Sequence, residues 1–158
     1  MILGLSSFTF GWEVGVGKMK PAIPLDEIEL VHRAVSLNLK CLQLGDNLPL
    51  HTFSKERLNN FRNLLEKYQL RLEIGAKELT AENLRIYTEL AIYFKAPLLR
   101  FVIDGENHEP KSEDVVSLLR DFKTEFKKNN LFFGIENHDR FHASELANMI
   151  TANTYTIV

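Results

Sequence analysis

At 158 residues, with 45% hydrophobic and 25% charged residues, the chain has the length and composition of one ordinary globular domain that can bury a real core. A net charge of −2 and a pI of about 6.2 exclude the basic stripe of a sequence-independent nucleic-acid binder. No stretch approaches the run of about 18 apolar residues that spans a bilayer, and "MILGLSSFTF" lacks the basic region of a signal peptide.

In chain order, the first apolar run, "ILGLSSFTF" from Ile2, reads as a strand. The glycine cluster behind it, "GWEVGVGKMK", fails the phosphate-loop pattern. Its glycine spacing is wrong, and Met19 stands where a hydroxyl should ligate magnesium. "PLDEIELVHRAVSLNLK" reads as a helix, with Pro24 ahead of an acidic first turn and Ile28, Val31, Val35 and Leu39 at helical spacing. His32 within it reads as structural. A second strand begins at Cys41 ("CLQLG"), whose lone thiol reads as reduced and buried in a cytoplasmic protein.

"SKERLNNFRNLLEKYQ" predicts a helix capped by Ser54, with Leu58, Phe61, Leu64 and Leu65 on one face. "LRLEIG" is the third strand and "TAENLRIYTELAIYFKA", opened by Thr80, the next helix. "LLRFVID" is the fourth strand. "SEDVVSLLRDFKTEFKKNN" opens at Ser112, with acids in its first turn and lysines in its last. "LFFGIE" is the fifth strand, "ASELANMI" a helix, and "TYTIV" the start of a sixth strand.

Strict alternation of strand and helix predicts parallel strands with helical crossovers, in one domain over residues 1–158. On strands two to five, alternate residues split into an apolar face (Leu42, Leu44; Leu72, Ile74; Leu99, Phe101, Ile103; Phe133, Ile135) and a face with polar tips. The polar face carries Gln43, Arg71, Glu73, Arg100, Asp104, Glu136 and His138. An open doubly wound sheet would be apolar on both faces, so the pattern favours a (β/α)8 TIM-barrel type, whose active site lies at the strand C-termini. A buried structural ion network of Arg71, Glu73, Arg100 and Glu136 is the competing reading.

Glu136 and His138, two apart, emerge on one side. Carboxylate with imidazole is a ligand mixture used for Mn2+, Co2+, Zn2+ or Mg2+. His138 reads either as a ligand or as a histidine bonded to nearby backbone. His51 and His108 fall in loops near the proposed mouth. Trp12, in the first loop, reads either as a wall for a sugar or as a packing residue.

With these residues assembled, the chain resembles the xylose isomerase-like (β/α)8 superfamily of sugar and sugar-phosphate isomerases and epimerases. The resemblance rests on "LGLSSFTFGWEVGVG", on "LQLGDNLPLH" with Asp46 and Asn47 at the mouth, and above all on "GIENHDRF". It runs from Ile2 to Val158 but covers only the front of the family's domain. It implies that Glu136 is the first of a divalent-metal ligand set and acts in proton transfer. The remaining ligands would come from later strands. Arg100 and His138 would orient substrate oxygens, with Trp12, Asp46 and Asn47 lining the sugar pocket.

Five of eight βα units of a barrel of about 250 residues is roughly 156 residues, so the expectation is a truncated barrel of about five parallel strands with outer helices. Such a chain would be inactive alone or would self-associate as a homo-oligomer through open sheet edges at strands one and five. A metal-dependent phosphodiesterase of the AP-endonuclease kind, sharing the superfamily, is the other enzymatic alternative; the pI and the single "ExH" cluster argue against it.

Overall fold

The computed structural model describes residues 2–138, 140–151 and 156–157, the last two through their backbone. It divides into two compact units, 1–74 and 75–158, with the division inside the third strand.

The first unit contains β1 (Gly4–Ser6), a short helix α1 (Gly11–Val14), α2 (Glu27–Ser36), β2 (Cys41–Leu44), α3 (Lys55–Tyr68) and the first residues of β3 (Arg71–Lys77). β1 pairs with β2 and β2 with β3, both parallel, in a register that aligns Gly4, Cys41 and Arg71, and then Ser6, Gln43 and Glu73. Leu42, Leu44, Leu72 and Ile74 are buried as expected, beneath a helical layer that supplies Leu30, Val31 and Ala34 from α2 and Phe61 and Leu65 from α3. Each such side chain contributes about 1.5–3 kcal/mol when removed from water. Asp26, Ser54 and, in the second unit, Thr80 cap their helices by accepting from the backbone N–H of Glu29, Arg57 and Asn83.

Two expectations are corrected here. The first strand stops at Ser6 instead of continuing to Phe10, because Ser6 and Thr9 form a reciprocal cap that turns the chain into a 3-10 segment over Ser7–Phe10. The helix expected to bury Ile28, Val31, Val35 and Leu39 instead buries Glu27, Leu30, Val31 and Ala34, and ends at Ser36. Val35 is exposed, as is His32, whose ring meets Tyr68 edge-on. The apolar stripe is rotated because an acid occupies one of its positions. Glu27 is 2% exposed, and Arg57 grips it from α3 through Nε–Oε1 (2.8 Å) and Nη2–Oε2 (2.5 Å) while lying over the Phe53 ring.

The second unit contains the end of β3, then α4 (Ala81–Phe94), β4 (Leu98–Val102), α5 (Ser112–Lys128), β5 (Phe132–Ile135), α6 (Ala143–Thr151) and β6 (Thr156–Ile157). β4 and β5 pair in parallel, and so do β5 and β6. The core is aromatic. Phe101 meets Tyr87 edge-on and stacks with Phe133, which stacks in turn on Phe126. Ser112 is the first helical residue of α5; Lys111 holds the cap position without a side-chain bond. The fifth strand is not an open edge, since Gly134 and Ile135 pair with Thr156 and Ile157. Thr154, Tyr155 and Val158 of the predicted sixth strand lie outside the described residues.

Among the described residues, no helix is long and apolar enough to cross a membrane.

Candidate functional site

The strand ends of each unit carry different chemistry. In the first unit, the register sets Cys41 beside Arg71 and Gln43 beside Glu73 on the polar face. Together with Ile2, Gly4, Leu5 and Ser6 they line a cavity of about 410 Å3. Arg71 Nη2 pairs with Glu73 Oε1 within the strand. Burial, with the Glu73 charge adding to it, pushes the Cys41 thiol up to about 11, so the thiol stays protonated.

Past β2, the loop is locked by Ser7, which is fully buried. Its hydroxyl donates to Asn47 Oδ1 (2.6 Å) and accepts from Gly45 N (2.9 Å), and Asn47 Nδ2 returns a bond to Ser7 O (3.3 Å). Gly45 is required there, because a Cβ would stand 2.5 Å from the Phe8 ring. Asn47 thus fastens the loop, beside the half-buried Asp46. Trp12 sits on α1 and is 78% exposed. Behind it, Glu13 binds Arg33 through both carboxylate oxygens, and this bond holds the Glu13 carboxyl below its usual value.

In the second unit, Glu136 is the first residue past β5. Its N–H donates to Phe101 O (2.8 Å), which places its side chain at the C-terminal end of the strand. Arg100, on β4, lies opposite Gly134 in the register. Gly134 has no side chain to obstruct it, and the arginine runs along the strand to pair Nη1 with Glu136 Oε2. The two side chains are 16% and 33% exposed, and Arg100 Nε is buried with no acceptor among the described residues. Of the four charges in the competing network reading, Arg71 pairs with Glu73 in the first unit and Arg100 with Glu136 in the second, and neither pair is wholly buried.

His138 follows on the exposed turn, and Asp139 lies outside the described residues. His108 Nε2 lies 3.0 Å from Leu79 O.

A divalent metal does not fit these residues by themselves. Among the described residues no three His, Cys, Asp or Glu groups converge, and the Glu136 carboxylate is already engaged by a guanidinium. The pairs missed in the sequence are Glu27–Arg57, whose acid reads as an ordinary first-turn residue, and Asp104–Arg140, which are 36 positions apart. The Ser6-x-x-Thr9 cap that turns the chain at Ser7 was a readable signal.

Solved structures share this arrangement of strands and helices. The D-psicose 3-epimerase of Clostridium cellulolyticum H10 aligns over 98% of this chain and 61% of its own, with a TM-score of 0.72 at 14% identity. A xylose isomerase domain-containing protein of Salmonella typhimurium LT2 aligns over 84% of this chain and 54% of its own (TM-score 0.64, 19% identity). The fold is that of the xylose isomerase-like TIM barrels.

Within that xylose isomerase-like fold, a domain protein of Planctomyces limnophilus aligns over 77% of this chain and 53% of its own, with a TM-score of 0.58 at 13% identity. A curated sequence, the 3-oxo-isoapionate decarboxylase of Pectobacterium atrosepticum, is 21% identical over 152 residues, 96% of this chain. The chain spans about half of that relative's length, 54%. No family model matches the sequence.

Proposed function

We propose that the full-length protein is a sugar or sugar-phosphate isomerase or epimerase in which Glu136 moves a proton next to a carbonyl. The observation that carries this reading is the Glu136 carboxylate, one-third exposed at the C-terminal end of β5 and gripped by Arg100 from β4. In barrels of this fold the strand C-termini are where chemistry is done.

Arg100 engages Oε2, and Oε1 is the oxygen assigned to take the proton. The α C–H bond breaks, its electron pair forms a C=C as the carbonyl π pair moves onto its oxygen, and the proton passes to Glu136, leaving an enediolate. Delivery of that proton to the neighbouring carbon, with a hydroxyl proton shifting between the two oxygens, gives the isomer; the epimer requires a second acid on the opposite face to protonate the same carbon, after which Glu136 releases its proton to solvent. The role of Arg100 is to orient the carboxylate, since a charge-assisted bond fixes one oxygen and so aims the other. His138 is assigned to substrate hydroxyls.

Within the same proposal, Glu136 would be one ligand of a divalent metal, and the described residues supply no full donor set beside it. No step above depends on the metal. A cytoplasmic location belongs to the proposal too, supported by the single buried thiol of Cys41.

A second reading, decarboxylation of a 3-oxo sugar acid, is favoured by the decarboxylase aligned over 96% of the chain. Loss of CO2 from such an acid leaves its electron pair on the carbon beside the carbonyl, giving an enolate that Glu136 in its acid form would protonate.

The test is to incubate the full-length protein in D2O with ketoses, their phosphates and 3-oxo sugar acids, following C–H loss by NMR alongside CO2 release. Deuterium entering a ketose, lost in E136Q, supports the epimerase reading. CO2 release with deuterium entering the product selects the decarboxylase. Turnover that is unchanged in E136Q would overturn both.

A further inference from the structure

The turn that follows Glu136 is fastened by a residue that the proposed chemistry leaves unused. Arg140 donates through Nε to both Asp104 oxygens (3.2 and 3.0 Å) and through Nη2 to Asp104 Oδ1 (2.6 Å) and Pro110 O (2.8 Å). Its guanidinium also lies 4.0 Å from the centre of the Phe141 ring, which is buried. The bond from Asp104 holds Arg140 still more firmly in its charged form.

The anchor is itself fixed. Asp104 O accepts from Glu78 N (3.2 Å), Ile103 O accepts from Leu79 N (2.9 Å), and His108 closes on Leu79 O. Gly105 is pressed against Glu78 so closely that a Cβ would come within 2.6 Å of its side chain. Arg140 is therefore tied to the ends of two neighbouring βα segments in its own unit.

What the clamp does is restrict the path of the chain. Glu136 and Arg140, four positions apart, are each held: Glu136 N on Phe101 O, and Arg140 on Asp104 and Pro110 O. Glu136 and the exposed His138 lie between these two contacts in the sequence.

We propose that Arg140 is a positioning residue whose clamp on Asp104 and Pro110 O sets the turn carrying Glu136 and His138. The inference rests on the reading of Glu136 as the proton-transfer group. It adds that the carboxylate's aim depends on a guanidinium four residues away that touches neither the carboxylate nor the substrate. Misplacement of a catalytic group by about 1 Å can cost on the order of 100-fold in rate, so the clamp acts on kcat.

Two readouts test this on the full-length protein. Amide hydrogen exchange of R140A is expected to speed up by on the order of tenfold over 137–142 and to stay unchanged over β5. In the proton-transfer assay, kcat is expected to fall by roughly 10- to 100-fold with KM little changed, and millimolar guanidinium is expected to restore part of it. R140K keeps the charge but loses the fork, so it carries the same two readouts should R140A not fold.

Unchanged exchange over 137–142, or an unchanged kcat in a variant series where E136Q abolishes turnover, overturns the clamp while leaving the proposed function standing. Turnover that survives E136Q overturns the proposed function instead, and hydrogen exchange still decides whether Arg140 orders the turn.

Discussion

Two arginine–glutamate pairs, one in each unit, show how the same chemistry serves different ends. Glu27 and Arg57 join α2 to α3, with the Glu27 side chain 3% exposed, both its oxygens engaged and the arginine laid over Phe53. Glu136 and Arg100 join the end of β5 to the middle of β4, with Glu136 33% exposed and, among the described residues, one oxygen engaged. A carboxylate held at both oxygens and shut away from water has nothing left to offer a ligand. One held at a single oxygen and open to solvent is aimed, and it remains reachable. The first pair is a fastening and the second is the better candidate for chemistry; composition and pairing alone would not separate them.

The comparison breaks first at Glu136. E136Q is expected to lower proton transfer by about 10²–10⁴-fold while the melting temperature moves little, as measured by D2O exchange and calorimetry. The opposite pattern, intact turnover and a large loss of stability, would make Glu136 the fastening.

R57A is expected to reverse that profile. It strands Glu27 as an uncompensated buried charge, costing about 3 kcal/mol, with catalytic rate unchanged. Chemical denaturation of R57A beside E136Q measures the contrast directly.

A smaller loss, about 1–3 kcal/mol, is expected for S7A, because the buried Gly45 N–H loses its acceptor and Asn47 loses its donor. Its signature is loosening of the loop after β2, seen as faster exchange at the Gly45 amide.

The smallest effect is at Cys41. A thiol raised from 9.0 to about 11 is held neutral by the folded state, so its contribution to stability is intact below pH 9 and declines as pH rises from 9 towards 11. C41A is expected to flatten that alkaline decline. At pH 8, alkylation of native Cys41 should be slow and should accelerate in urea.

Much of the fold was legible because it follows from local rules. The strand cores at Cys41, Leu70, Leu98 and Leu131 and the caps at Ser54 and Thr80 stand where alternation and capping chemistry put them. The first strand was overrun because six apolar or β-prone residues outweighed the short Ser6–Thr9 cap. The stripe on α2 was misread because Glu27 is tolerated in the core only through Arg57, 30 residues away. At the candidate site, Glu136 was readable as a polar residue at a strand end. Its hold by Arg100 was not, since that depends on the β4–β5 register and on Gly134 standing opposite.

By itself, then, the sequence determined the βα alternation, the apolar face of each inner strand and the polar residues at the strand tips, because periodicity and capping act over a few residues. Only the tertiary structure decided which charges meet. Arg57 closes on Glu27, Arg100 on Glu136 and Arg140 on Asp104 across 30 to 36 residues of chain, and such partners are chosen by strand register and helix packing, which no local pattern encodes.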